Sequence, residues 1–511
     1  MSNLNKTFFT PDHDTFRQSV RDFLDKEVMP FIDQWEEDGQ LPADIWKKFG
    51  DMGYFGLSHE EKYGGLGLDF WYDVVFLEEV SKCWSGGFGA SISAHPYLTL
   101  SHLSKVGSDY LKEKYLRPGI AGKIHGGLAI TEPFAGSDVA GILTTAVREG
   151  DGWRINGSKM FITNGVTGDY LIVAAKTNPS AGAAGISLFV VDREAEGLSA
   201  ANLKKLGWKA SDTGDISLDN VFVPGSHLLG EENRGFYYIM QRFELERLTL
   251  GLGSLAASEQ GIAYTLQYMS ERKAFGRSIN KFQVLRHRMA QLSAELEMIK
   301  TFTYQVCRMF VDGIYAVKEA SMVKLLATEF ADKCVYECLQ NFGGYGYMEE
   351  YKIARAFRDS RLGTIGGGSS EIMREIIAKM VIDEVSYTGR QSTVDSPQSD
   401  VQTLTAKDII LSLPSRVKKD KLGALTGNIH FDISGEGGGQ YTLCLTADDC
   451  SIFDGLQGDN LCKVSANNDT YVAVESGKMN PQEAFMTGKL QLSDPMVMMQ
   501  VGGMFSRFEK K

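Results

Sequence analysis

The spacing of apolar residues changes repeatedly along this chain, and no single sheet or helix bundle can satisfy all of it. From Asp12 to about Leu116 apolar residues recur every three or four positions, as in Phe16, Val20, Phe23 and Leu24 and again in Val74, Val75, Leu77 and Val80. That spacing predicts helices with one buried face. Between about His125 and Leu229 short apolar runs appear instead, Leu171-Ile-Val-Ala-Ala and Ile186-Ser-Leu-Phe-Val-Val among them, broken by Gly, Asn and Asp. These predict strands and turns. From Phe236 to about Glu384 the helical spacing returns in stretches as long as Leu285 to Phe310 and Ala316 to Leu339, which suits a bundle of long packed helices.

After Ser386 the chain turns polar until Thr403, a composition that buries little and reads as a linker. Beyond it, Ile429 to Ile433, Tyr441 to Leu445 and Lys463 to Ser465 read as strands, and Pro481 to Phe508 as an amphipathic ending. With 511 residues the chain exceeds what one hydrophobic core organises. The expected fold class is therefore multidomain: an all-α N-terminal domain (1–124), a middle β domain (125–235), a C-terminal helical bundle (236–385), a linker (386–403) and a small α+β domain (404–511).

Charge excludes one large class of function. The 53 basic and 65 acidic residues leave a net charge of -12, which repels a polyanion unless a basic patch compensates. The short cluster Arg416, Lys418, Lys419 and Lys421 is interrupted by Asp420, so no nucleic acid partner is expected. Seven cysteines without a C-x-x-C pair point to free thiols in a reducing compartment, with Cys334 and Cys338 as helix core. The first 25 residues carry Asp12, Asp14 and Asp22 and no long apolar run, unlike a signal or transit peptide. No run of 18 uncharged apolar residues predicts an integral membrane segment, and the last residues, Glu509-Lys510-Lys511, are not a peroxisomal tripeptide. A cytoplasmic protein is the expectation.

Two long motifs say more. Leu128-Ala-Ile-Thr-Glu-Pro-Phe-Ala-Gly-Ser-Asp-Val-Ala-Gly141 and Gln340-Asn-Phe-Gly-Gly-Tyr-Gly-Tyr-Met-Glu-Glu-Tyr-Lys-Ile-Ala-Arg-Ala-Phe-Arg-Asp359 resemble the two signatures of acyl-CoA dehydrogenases, and the resemblance spans about Asp12 to Glu384. It implies that family's α, β, α order, FAD as cofactor, an acyl-CoA substrate, a homotetramer or homodimer, and an electron-transfer flavoprotein as acceptor. The reaction removes a proton from the carbon next to a thioester and passes a hydride from the next carbon to the flavin. Such a weak acid requires a carboxylate in a dry pocket and donors for the enolate-like oxygen.

In much of the family that carboxylate is a Glu in the motif that here reads Ile365-Gly-Gly-Gly-Ser-Ser-Glu371, at the position of Gly367. Glycine carries no base, so either the chain is redox-inactive or the base enters from elsewhere. The stretch Phe243-Glu-Leu-Glu-Arg-Leu248 resembles the long-chain and isovaleryl branches, which implies Glu246 as the base. Glu244 is turned about 200° away on the same helix and is implied as a contact to the CoA arm. Gly367 keeps its N–H, implied to polarise the thioester carbonyl, with Gly368 beside it in the substrate site. Gly366 stands where straight-chain relatives carry Tyr, so branched or bulky acyl groups are expected; three consecutive glycines could equally answer a backbone requirement.

For FAD the resemblance implies Ala129, Thr131 and Ser137 at the isoalloxazine edge, and Phe161, Ile162 and Thr163 on its face, with Phe161 standing where many relatives have Trp. It implies Arg272 at the pyrophosphate, where a guanidinium pairs well with phosphate oxygens, and Gln283 near the adenosine, both reaching across a subunit boundary. Gln340, Gly343, Gly344, Ser369, Ser370 and Glu371 are implied to complete the adenosine and ribityl contacts. Ser137, Tyr237, Glu244 and Arg247 match substrate contacts of the isovaleryl branch; Arg247 could instead pair with a structural carboxylate and Tyr237 could be core. No metal ligand set is expected.

Ser476-Gly-Lys-Met-Asn-Pro-Gln-Glu-Ala-Phe-Met-Thr-Gly-Lys-Leu490 closely resembles sterol carrier protein domains, which implies an apolar tunnel with a lipid ligand. Met479, Phe485, Met486, Met496, Met498, Met499, Met504 and Phe505 would supply its adaptable surface. The expected function is dehydrogenation of a saturated acyl-CoA to the trans-2-enoyl-CoA. An oxidase that uses oxygen, and a lipid-transfer protein with a redox-inactive scaffold, are the alternatives.

Overall fold

Thr10 opens the first long helix: its hydroxyl accepts from the His13 N–H while His13 Nδ1 accepts from the Thr10 N–H, and Pro11 supplies the first helical residue. This reciprocal cap satisfies donors that a helix start leaves free. The structure is a computed structural model describing residues 7–383, 404–418, 425–476, 479, 481–486 and 488–506. The expected linker 386–403 lies outside the described residues. The chain divides into two compact units, 1–387 and 388–511.

In the first unit, α1 (Pro11–Glu27), α2 (Phe70–Val80) and α3 (Gly86–Ala94) precede the β region, and α4 (Gly235–Glu271), α5 (Gln283–Val311), α6 (Val317–Phe342) and α7 (Ser370–Ala378) follow it. Val20 and Leu24 of α1 and Val74, Leu77 and Val80 of α2 share one core with Leu245, Leu248 and Leu252 of α4. Buried charges cross that core in pairs. Arg17 lies 2.7 Å from both Glu78 and Glu79, and the Tyr304 hydroxyl of α5 donates to Glu78. Breaking such pairs is costly because the orphaned charge stays buried.

Between the helical parts lies an eight-stranded sheet of β1 (Gly126–Ala129), β2 (Thr145–Glu149), β3 (Gly152–Thr163), β4 (Tyr170–Lys176), β5 (Ile186–Asp192), β6 (Leu198–Asn202), β7 (Thr213–Pro224) and β8 (Leu228–Leu229), in the order β6-β7-β3-β2-β4-β5-β8, with β1 parallel to β4. The runs at Leu171 and Ile186 form β4 and β5, adjacent antiparallel strands buried almost throughout. The β3–β7 ladder slips register between Lys159 and Ile162, which leaves Phe161 out of the pairing.

The second unit is α+β. Strands β11 (Gly427–Ser434), β12 (Gly439–Leu445), β13 (Cys450–Asp454), β14 (Asn460–Asn467) and β15 (Leu490–Leu492) run in the order β13-β12-β11-β14-β15; β9 (Lys273–Ala274) and β10 (Arg277–Ser278) form a small hairpin in the first unit. Ile429, Phe431, Leu443 and Val464 share the core with Met504 and Phe505. The amphipathic ending holds two helices, Pro481–Met486 and Pro495–Met504, with β15 between them, and β15 pairs with β14. Met479 and Met498 pack at the core's margin, whereas Met496 is 53% exposed. The side chains of Met486 and Met499 lie outside the described residues. Among the described residues no helix is long and apolar enough to cross a membrane.

Candidate active site

Two helices and one glycine loop make the centre of the site. Gly251 of α4 has no side chain to hold α6 away; a Cβ there would lie 2.5 Å from Val323. That close approach packs α6 against α4, where Lys324 of α6 is buried and Glu246 of α4 half-buried, and the two charges act on each other.

 

Burial raises the Glu246 carboxyl above its ordinary range, and the positive charges of Arg247 and Lys324 partly offset it. The same desolvation lowers Lys324 to about 8, against the pull of Glu246.

The glycine loop after residue 365 faces this pair. A Cβ at Gly367 would stand 3.3 Å from Glu246 Oε1 and 2.3 Å from Leu250 Cδ1, so the Glu246 carboxyl lies beside the space that a side chain at 367 would enter. Gly367 and Gly368 have φ of +61° and +87°, the left-handed region where an L side chain costs about 1–2 kcal/mol. Their glycines answer a backbone requirement. Gly366 does not: its Cβ would meet only Leu362, at 3.6 Å or more. The Lys324 ammonium donates to the Gly368 carbonyl at 2.5 Å, and Ser369 caps α7 by accepting from the Ile372 N–H.

Glu244 has other neighbours. Burial raises its carboxyl, opposed by the Ala316 backbone and by Arg247 and Arg242; one of its oxygens is buried without a hydrogen-bond partner. Arg247 is 7% exposed, and its desolvation is offset first by Glu246 and then by Glu244. The Tyr237 hydroxyl accepts from Gln241 at 2.6 Å.

The β region carries a second group of the residues read from the sequence. Lys159 of β3, 0% exposed, lies 2.7 Å from Glu132, 5% exposed, and also donates to the Ile130 carbonyl. Glu132 in turn accepts from the N–H groups of Leu143 and Thr144. Burial alone would raise Glu132, but Lys159 and these donors hold it below its ordinary range. The segment 131–144 is thereby tied at both ends to β3, and the Met160 N–H donates to the Thr131 carbonyl at 2.9 Å. Ser137 and Phe134 project from it, Phe134 with 91% exposure.

Phe161 is 64% exposed at φ +63°, a conformation a bulky residue adopts only when its surroundings enforce it. Ala129 and Ile162 have side chains packed in the sheet core, so only their backbone could meet a cofactor. Thr163 is half-buried.

Farther along the helices, Arg272, Gln340, Gly343 and Gly344 line one cleft of about 570 Å³ with Tyr268 and Tyr345. The Arg272 guanidinium lies 5.4 Å from the Tyr345 ring centre, and nothing lies within 4 Å of a Cβ built at Gly343 or Gly344. Gln283 is exposed at the first residue of α5. An open glycine floor beside a guanidinium admits a phosphate-bearing group. Ser370 Oγ is buried without a partner, and Glu371 is exposed, its carboxyl lowered by its own backbone N–H and the Ser369 hydroxyl. These residues fit FAD: an exposed apolar ring at Phe161, an orphaned hydroxyl at Ser370 and an open glycine floor beside Arg272.

Sequence reasoning assigned no role to Lys324, Glu132 or Lys159. A signal existed for Lys324, which falls on the stripe of Ala320, Ala327 and Ala331 where a buried charge demands a partner.

Residues 10–123, 127–221 and 233–382 match the N-terminal, middle and C-terminal domains of acyl-CoA dehydrogenase, and residues 407–506 match the SCP-2 sterol transfer family. The chain is similar to the long-chain specific acyl-CoA dehydrogenase, mitochondrial, of Rattus norvegicus, at 38% identity over 74% of this chain and 88% of that protein. It is similar to the crystal structure of acyl-CoA dehydrogenase from Geobacillus kaustophilus, with 39% identity, a TM-score of 0.71 and coverage of 73% and 99%. A glutaryl-CoA dehydrogenase from Mycobacterium smegmatis in complex with FADH2 matches at 27% identity and a TM-score of 0.70, covering 75% of this chain and 97% of that one.

Proposed function

This chain belongs to the acyl-CoA dehydrogenase family of FAD-dependent oxidoreductases and carries a C-terminal SCP-2 domain; from that premise we propose that it converts a saturated acyl-CoA to the trans-2-enoyl-CoA with Glu246 as the base. One observation carries the assignment: the Glu246 carboxyl occupies the space beside residue 367, where glycine leaves no side chain of its own. A carboxylate whose basicity is raised by burial is suited to a weakly acidic carbon. Glu246 takes the α-proton, and the Gly367 N–H donates to the thioester oxygen as negative charge gathers there. FAD, when bound, supplies the hydride acceptor for the β-carbon. Phe161 offers it an apolar face that excludes water, and Thr131, Ser137 and Thr163 its nearest polar groups. Glu244, Arg247 and Tyr237 hold the CoA side of the substrate, with Gly368 lining the same space.

The cofactor set spans more than one copy of the chain. Arg272 follows Glu246 by 26 positions along one helix, about 39 Å at the helical rise. One dinucleotide does not bridge that span, so Arg272 and Gln283 serve the FAD of a partner in a homodimer or homotetramer. Electrons leave to an electron-transfer flavoprotein; rapid reoxidation of the reduced enzyme by oxygen alone would favour the oxidase reading. The SCP-2 domain binds lipid or acyl-CoA of the same class, and a tether raises its local concentration toward the millimolar range. All seven cysteines are free thiols, which suits a reducing compartment such as the cytoplasm.

Anaerobic bleaching of the flavin by straight, branched and sterol-side-chain CoA thioesters tests the reading; a colourless protein that still binds acyl-CoA favours the redox-inactive scaffold. Space beside Gly366 supports bulky or branched substrates. Gly366→Tyr is therefore expected to lower kcat/KM for branched substrates about tenfold, a cost of roughly 1.4 kcal/mol, while sparing straight ones. Equal effects on both, in a steady-state comparison, would remove position 366 from the specificity argument.

A further inference from the structure

We propose that Lys324 is a positioning residue of this site: one buried ammonium anchors the glycine loop and keeps a positive charge beside Glu246. The inference rests on Glu246 acting as the base. Lys324 is fully buried on α6, and its ammonium donates to the Gly368 carbonyl at 2.5 Å. Gly368 follows Gly367, and the two residues have consecutive left-handed conformations. A loop built that way has few side chains to hold it, so the grip on its carbonyl determines where the Gly367 N–H points. The same loop abuts the carboxyl, since a Cβ at Gly367 would lie 3.3 Å from Glu246 Oε1. One side chain thus ties the donor to the base.

The charge matters separately from the hydrogen bond. Burial raises the Glu246 carboxyl, and only Arg247 and Lys324 oppose that rise among the charged groups acting on it. Arg247 is shared with Glu244 and approached by Tyr315. Around Lys324 the charged groups are Glu246, Arg247, Glu329 and Glu371. When substrate expels water, the cost of an ionised Glu246 rises further, and an adjacent ammonium keeps the carboxylate available to accept a proton. An apolar residue would satisfy packing on the Ala320–Ala327 stripe equally well, yet would provide neither effect.

Lys324→Gln separates the two, because an amide still donates to the Gly368 carbonyl but carries no charge. The probe is an acyl-CoA analogue with sulfur in place of the β-carbon, which can lose its α-proton but cannot pass hydride; its deprotonation beside the flavin is read as long-wavelength absorbance against pH, on the full-length FAD-loaded protein. Lys324→Gln is expected to keep FAD and thermal midpoint near wild type and to move the acid limb of that titration upward by about one pH unit. In turnover, kcat at acidic pH falls about tenfold with KM little changed. Lys324→Met loses the anchor as well and is expected to fall further, at all pH values. Lys324→Arg keeps the charge and is expected to hold the wild-type limb. An acid limb in Lys324→Gln that coincides with wild type, or an Arg limb displaced as far as that of Gln, would overturn the charge role. Loss of the base reading looks different: Glu246→Gln would then still deprotonate the analogue, whatever Lys324 does.

Discussion

Glu246→Gln is expected to retain FAD and to lose anaerobic flavin bleaching by substrate, with the reduction rate lowered by about 10³- to 10⁴-fold. Glutamine keeps the shape of the side chain beside Leu250 and Gly367 but cannot accept the α-proton. Folding is not expected to suffer. Burial raises the folded-state pKa of Glu246, so the stability tied to its protonated form is present at low pH and is lost as pH rises through that pKa. A neutral amide removes this loss, and the variant's thermal midpoint at neutral pH should equal or exceed that of the wild type. For the same reason wild-type reduction should fall as pH drops through a value above the ordinary carboxylate range. Stopped-flow reduction at several pH values measures both. A variant that bleaches as fast as wild type removes Glu246 from catalysis.

Lys159→Met is expected to have the largest effect on stability. Lys159 and Glu132 are both buried and 2.7 Å apart, so removing one partner leaves an uncompensated buried charge at a cost of about 3–5 kcal/mol. Glu132 also holds the N–H groups of Leu143 and Thr144, so the damage spreads to the segment that carries Thr131 and Ser137. Lower thermal midpoint, faster proteolysis within 131–144 and loss of FAD on dialysis should appear together. The double variant Lys159→Met, Glu132→Leu discards both charges and should recover part of the midpoint without recovering FAD retention. If Lys159→Met alone keeps the wild-type midpoint, the pair contributes little.

Much of this was legible because it is periodic or contiguous. Leu285 to Phe310 falls within helix Gln283–Val311, and Ala316 to Leu339 starts at the cap residue just before helix Val317–Phe342 and otherwise lies inside it, since helical spacing over many turns has few competing readings. The amphipathic ending was harder: the strand Leu490–Leu492 inside it was not read, because its pairing with β14 is a long-range contact that local spacing does not reveal. Glu246 and the cleft residues were approached through motifs. Lys324, Glu132 and Lys159 were not, because a buried charge looks like a surface charge until its partner is known. The pairs Lys324 with Gly368 and Lys159 with Glu132 join residues 44 and 27 positions apart.

By itself, the sequence determined the long helices and the central strands, through residue type and local spacing, and its resemblance to a family pointed to the empty side chain at 367 and the candidate acid at 246. Tertiary structure alone decided that 246 and 367 share one space, that 367 and 368 need glycine for their backbone while 366 does not, and that Phe161 stands out of its strand. Those are consequences of close packing between elements distant in the chain, where distance, burial and backbone angle are set by neighbours that no local pattern identifies.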